Sequence, residues 1–94
     1  MIKPETVLLK KKHVVCTALP QGGGAVLLNM NNKYFYTLNK AAFRLWECID
    51  GKRAISGVAG EIMKEYGINR QQAMANITTQ VKQFIREDLV ETKA

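Results

Sequence analysis

The side chains able to do acid–base or covalent chemistry are few and scattered. The one histidine, His13, stands near the start of an expected strand, with no acid or thiol partner in the local pattern. It reads as an edge histidine. The one serine, Ser56, lacks the Gly-x-Ser-x-Gly setting of a nucleophile elbow. Cys16 and Cys48 form no CxxC pair and no zinc-binding cluster. They read as reduced thiols of a cytoplasmic protein, both serving as small buried apolar side chains. The loop Pro20-Gln21-Gly22-Gly23-Gly24 has a phosphate loop's glycines, but no Gly-Lys-Ser/Thr ending, and it leads into a strand instead of a helix. Glu61, Glu65, Glu87 and Asp88 are spread over solvent-facing helix positions. Nothing here makes a catalytic constellation, so the chain is expected to be no enzyme and to need no cofactor or metal.

The elements around these residues are clearer. Residues 1–11 read as an extended arm whose Lys10-Lys11-Lys12 is too short for a nucleic-acid signature. A first strand follows over His13–Leu19, and a second over Ala25–Met30. Asn31-Asn32 fits a two-residue type I′ turn, because Asn tolerates positive φ. Lys33–Leu38 returns as a third strand. Alternation puts Tyr34, Tyr36 and Leu38 on the core face and Lys33, Phe35 and Thr37 on the other. Asn39 then caps a helix with Ala42, Leu45, Trp46 and Ile49 at helical spacing, ended by Gly51. Ile55, Val58, Ala59, Ile62 and Tyr66 mark a second helix, in which Gly57 and Gly60 imply close helix approach. Asn69 with Gln72 makes a capping box for a third helix, whose apolar stripe is Ile77, Val81, Phe84, Ile85 and Leu89. Leu89–Thr92 is either a short last strand or a frayed tail. The expected class is α+β: a small N-terminal three-stranded antiparallel sheet followed by three helices, laid out as a winged helix-turn-helix. The 94 residues read as one domain.

Charge narrows the classes of partner. The chain carries a formal net charge of +6. All of that excess lies in residues 1–46, because Lys/Arg and Asp/Glu balance over residues 47–94. A basic half favours an acidic peptide or nucleic acid. No run reaches the ~20 apolar residues of a membrane span, and the N-terminus lacks the apolar core of a secretory signal, so no membrane partner is expected. A DNA-binding regulator is the alternative reading, since a helix-turn-helix permits it. Against it, the third helix offers Arg70, Gln71, Gln72 and Asn76 at its start and then only Lys82 and Arg86. Nucleic acid is therefore not expected as the ligand.

Ala25-Val26-Leu27-Leu28, Tyr34 to Asn39, Leu45-Trp46, Asp50-Gly51, Ile55, Val58-Ala59, Ile62, Tyr66, Phe84-Ile85 and Leu89-Val90 together resemble the pattern of the PqqD-like proteins. These are recognition elements for ribosomally made, post-translationally modified peptides. The resemblance spans residues ~12–92. Its most specific part is the Tyr-x-Leu-Asn step into a Trp-bearing helix that ends in Asp-Gly. Ala54-Ile55-Ser56-Gly57 departs from the Thr/Ser-led start expected for the second helix. The tyrosine-rich third strand is more similar to the stand-alone proteins of lasso-peptide clusters than to pyrroloquinoline-quinone biosynthesis proteins.

The resemblance implies a peptide-binding adaptor. The leader of a precursor peptide would add as a strand to the edge of the third strand, and its side chains would dock between that strand and the third helix. The adaptor would present the peptide to a partner peptidase or modifying enzyme. Carried onto this sequence, the implied binding residues are Lys33, Tyr34, Phe35, Tyr36 and Thr37 on the strand. On the helix they are Met74, Thr78, Val81, Lys82 and Ile85. Phe35, Met74 and Ile85 would be the apolar anchors, and Lys33 and Lys82 would attract leader carboxylates. An open edge also admits a second copy, so monomer and edge-strand homodimer both stand.

Overall fold

The computed structural model describes residues 2–93. Met1 and Ala94, the outermost residues of the expected arm and domain, lie outside that range. Leu8–Lys10 (β1), Val14–Ala18 (β2), Ala25–Asn29 (β3) and Phe35–Leu38 (β4) precede three helices, Lys40–Cys48 (α1), Ile55–Tyr66 (α2) and Arg70–Arg86 (α3). Val90–Thr92 (β5) closes the chain. The antiparallel sheet β2-β3-β4 and the three helices agree with the expected α+β, winged-helix-like layout.

The arm differs from expectation. From Val7 onward it is docked, with Leu8–Lys10 paired antiparallel to Val90–Thr92 in a second, two-stranded sheet. The Ile55 amide donates to the Thr6 carbonyl, and the Lys93 amide donates to the Val7 carbonyl. Leu8 is buried, and burying such a side chain stabilises the docked arm by about 1.5–3 kcal/mol. The short apolar run Val7-Leu8-Leu9 beside three lysines is a weak sequence signal, and its strand partner lies at the far end of the chain.

The hairpin between β3 and β4 also departs from the two-residue turn. Positive φ falls on Lys33, not on Asn31 or Asn32. The loop is longer: the Asn29 amide donates to the Tyr34 carbonyl (3.0 Å), and the Lys33 amide donates to the Asn29 carbonyl (2.7 Å). Asn29 organises it, its side-chain Oδ1 accepting the amides of Asn31 (2.9 Å) and Asn32 (3.4 Å). The strand therefore starts at Phe35. Tyr34, expected on the core face, is 65% exposed, whereas Tyr36 is half-buried and Leu38 is buried as expected.

Asn39 caps α1 by accepting the Ala42 amide (2.8 Å), and both halves of the Asn69–Gln72 capping box are formed at α3. α1 stops at Ile49, two residues before the left-handed Gly51 that was expected to end it. Gly57 and Gly60 are exposed and no helix approaches them, so the close packing they implied is absent. The core joins Leu27 and Leu38 of the sheet to Trp46, Ile55, Val58, Ile62, Ile77, Val81 and Phe84 of the helices. Trp46 meets Phe84 edge-to-face with ring centroids 5.5 Å apart. Ile85 is 39% exposed, and Leu89 is buried only after the helix has ended, so neither belongs to the α3 stripe.

Two glycines should respond in opposite directions to alanine, read as urea midpoints at unchanged slope. Gly60→Ala fills open space on a helix surface and should raise stability by ~0.5–1 kcal/mol. Gly24 has φ +101°, and an added Cβ would lie 1.9 Å from the Leu38 carbonyl oxygen, so Gly24→Ala should lose about 3 kcal/mol.

Candidate functional site

β4 is the last strand of its sheet, so among the described residues one of its edges has no strand partner. Which main-chain groups it offers follows from register. Tyr34 lies opposite Asn29 in a hydrogen-bonded pair, and Leu27↔Tyr36 and Ala25↔Leu38 continue the same phase. Antiparallel alternation then turns the N–H and C=O of Phe35 and Thr37 away from β3. Four main-chain groups on consecutive outward positions can accept an extended chain.

That edge looks into a groove. Phe35–Asn39 forms one wall, and Gln80, Gln83 and Phe84 of α3 form the other, around a hollow of about 330 Å³. At the Asn39 end it runs into a second hollow of about 460 Å³ between the three helices. Ala42, Leu45, Ile62, Tyr66, Ile68 and Ile77 make that second hollow mostly apolar. Asn39, Ala42 and Gln80 border both, so the two are adjacent.

The strand residues named from sequence fall partly on this site. Phe35, Tyr36 and Thr37 line the groove. Lys33 sits in the hairpin loop, and Tyr34 precedes the strand with its amide held by Asn32 Oδ1 (2.9 Å). Phe35 is 69% exposed on the outer face, as alternation required.

The helix residues do not fall on it. Val81 is fully buried in the core. Met74, Thr78, Lys82 and Ile85 lie along the other flank of the Ile77/Val81/Phe84 stripe, away from β4. At 100° per residue, positions 76, 80, 83 and 87 share one side of that stripe, while 74, 78, 82 and 85 share the opposite side. The flank with more exposed apolar side chains thus faces away from β4, and Gln80, Gln83, Asn39 and Ala42, none of them among the expected binding residues, line the groove. The one available signal was Asn39, which ties the end of β4 to the start of α1.

At the hairpin end the groove is bounded by polar contacts. The Tyr36 hydroxyl donates to Glu87 Oε1 (3.0 Å) and accepts from Asn32 Nδ2 (3.4 Å). Desolvation pushes the Tyr36 phenol above its usual value; the Asn32 bond opposes that shift and the Glu87 bond adds to it. Asn29 Nδ2 donates to the Glu87 carbonyl (3.1 Å).

Much of the basic excess is paired elsewhere. Lys11 contacts Glu91 (2.8 Å) and Asp88 (3.3 Å), Arg44 contacts Glu65 (2.9 Å), and Lys10 lies over the Trp46 ring (5.1 Å). His13 meets an acid that lies outside its local pattern: its Nε2 is 3.2 Å from Asp88 Oδ2, 75 positions away. No thiol or hydroxyl nucleophile joins that exposed pair among its described contacts. Of the candidate base-reading residues on α3, Gln72 is occupied by its capping box and Asn76 borders the apolar hollow. Among the described residues no helix is long and apolar enough to cross a membrane, and no His/Cys/Asp/Glu group is placed to hold a metal ion. The cysteines differ: Cys48 is buried as expected, whereas Cys16 is exposed on the edge strand β2.

The family model described as coenzyme PQQ synthesis protein D (PqqD) matches residues 24–90. No curated protein matches the chain. Two solved structures share its fold. One is TbiB1 in complex with the TbiA(beta) leader peptide, with a TM-score of 0.80 and 18% identity over 90% of this chain and 96% of that one. The other is a lasso peptide synthetase B1 complexed with the leader peptide, with a TM-score of 0.79 and 18% identity over 89% and 96%.

Thiol titration checks the placement of the cysteines. Desolvation, partial at exposed Cys16 and fuller at buried Cys48, pushes both thiols above their usual value, so both are protonated at neutral pH. In the folded chain only Cys16 should react with a disulfide reagent, faster as pH rises, and Cys48 should react only after denaturation.

Proposed function

The chain belongs to the PqqD family, and from that premise we propose that it is a non-catalytic adaptor for a ribosomally made precursor peptide. Its single domain, residues 1–94, binds the leader by strand addition to β4 and presents the peptide to a partner peptidase or modifying enzyme. It works in the cytoplasm, where its thiols stay reduced. The observation that carries this reading is the β4 edge, with its outward main-chain groups set beside a groove. The two structures of the same fold were both solved with a leader peptide, which supports the same assignment.

Magnitudes favour strand addition combined with side-chain anchors. Four main-chain hydrogen bonds at a net ~0.5–1.5 kcal/mol each give about 2–6 kcal/mol. Micromolar binding needs about 8 kcal/mol, and ordering the peptide adds to the requirement. Two or three apolar anchors at ~1.5–3 kcal/mol each close the gap. Phe35 is one anchor site, and the hollow lined by Leu45, Ile62 and Ile77 can take another. Gln80 and Gln83 replace Met74, Thr78, Lys82 and Ile85 as the helix contacts in this proposal. Lys33 and the remaining basic groups steer an acidic leader more than they hold it. The outcome for the peptide is effective concentration: held on the adaptor, it meets the enzyme intramolecularly.

Fluorescence anisotropy tests this, with a labelled leader from the precursor encoded beside this chain and a labelled DNA duplex in parallel. Leader binding should saturate and survive high salt. Thr37→Pro removes an outward N–H on an edge strand, where proline is tolerated, and should weaken binding at least about tenfold with the fold intact. Phe35→Ala should also weaken binding, whereas Met74→Ala and Ile85→Ala should leave it unchanged. DNA binding that falls steeply with salt, without leader binding, would overturn the adaptor in favour of a regulator.

A further inference from the structure

Resting on the leader-binding reading, we propose that Tyr36 and Glu87 act as positioning residues, forming a bridge that fixes the groove's width before the peptide arrives. The two walls belong to different parts of the fold, the hairpin on one side and the end of α3 on the other. Glu87 is the C-cap of α3 and joins them twice. Its carboxylate accepts from the Tyr36 hydroxyl (3.0 Å), and its carbonyl accepts from Asn29 Nδ2 (3.1 Å). Asn29 is only 1% exposed and spends its remaining oxygen on the loop amides, so the hairpin tip is held from the same point. Among the described residues no other hydrogen bond links β4 to α3.

The placement of Tyr36 gives the bridge its function. Its main chain faces β3, so it contributes nothing to an added strand's ladder. Its side chain points to the core side of the sheet and reaches Glu87 at the hairpin end of the groove. An added strand lies ~4.8 Å from β4 and must fit beside the helix. A gap set in advance removes ordering that the peptide would otherwise have to bring about. Without the bridge the Asn39 end keeps its shape, because α1 follows directly from β4, while the hairpin end is left with the Asn29 tie to the Glu87 carbonyl and loses the one made by β4 itself.

A double-mutant cycle on the full chain, read by anisotropy with the same labelled leader, tests the bridge. Tyr36→Phe and Glu87→Ala should each weaken binding about three- to tenfold, as expected for one hydrogen bond. Because they break the same bond, the double variant should be no weaker than the worse single variant. Glu87→Gln keeps an acceptor and should bind within about twofold of the native chain. All are measured well below the thermal midpoint, so that the folded fraction stays constant. Multiplicative losses would assign Tyr36 a separate contact with the peptide and overturn the bridge, as would a Glu87→Ala chain that binds normally. Failure of the native chain to bind leader would overturn the adaptor reading itself, and this role with it.

Discussion

The edge-to-face contact of Phe84 with Trp46 decides how α3 is rotated, and the rest of the site depends on that rotation. Phe84 anchors the stripe that includes Ala73, Ile77 and Val81, all buried. Once that stripe faces inward, a helix has no freedom left in its flanks. Gln80, Gln83 and Glu87 must face β4, and Met74, Thr78, Lys82 and Ile85 must face away. An aromatic pair of this kind adds about 0.5–1.5 kcal/mol beyond area burial, but its larger consequence is geometric. It assigns polar side chains to one groove wall and so places Glu87 within reach of Tyr36.

Much of the fold was legible because its signals are local. The caps at Asn39 and Asn69 and the left-handed Gly67 each depend on a few neighbouring residues, and each sits where its residue type indicates. The paired edge β1-β5 was not legible, since it joins residues about eighty positions apart, with Leu8 and Val90 as its buried side chains. The hairpin turn was misread for a different reason. Asn29 captures two loop amides with its side chain, which stabilises a longer loop than the Asn31-Asn32 pair alone suggests. Period-two alternation places Phe35 outside and Leu38 inside, as observed. On α3, periodicity identifies only the centre of the buried stripe, and both of its flanks are equally compatible with it.

The electrostatics favour a peptide over a duplex for a reason separate from family membership. A DNA reader needs free cations and amides on its recognition helix, backed by basic groups around it. Here Gln72 is spent on a cap, and Lys11 and Arg44 are spent on ion pairs. The groove itself is walled by amides, hydroxyls and apolar groups, and the Glu87 carboxylate at its hairpin end is already hydrogen-bonded to Tyr36. Such a surface binds main chain and apolar side chains well and phosphates poorly.

An unprotected edge is a hazard, because any exposed strand can pair with it. β4 carries no lysine or proline between Phe35 and Leu38 to discourage such pairing. The neighbouring helix supplies the selectivity instead. A strand joining β4 must also fit against Gln80 and Gln83, so one of its faces must be bare. An extended peptide meets that condition. A second copy's β4 packs its core face, Tyr36 and Leu38, against its own core, so it meets that condition less readily than a free strand does.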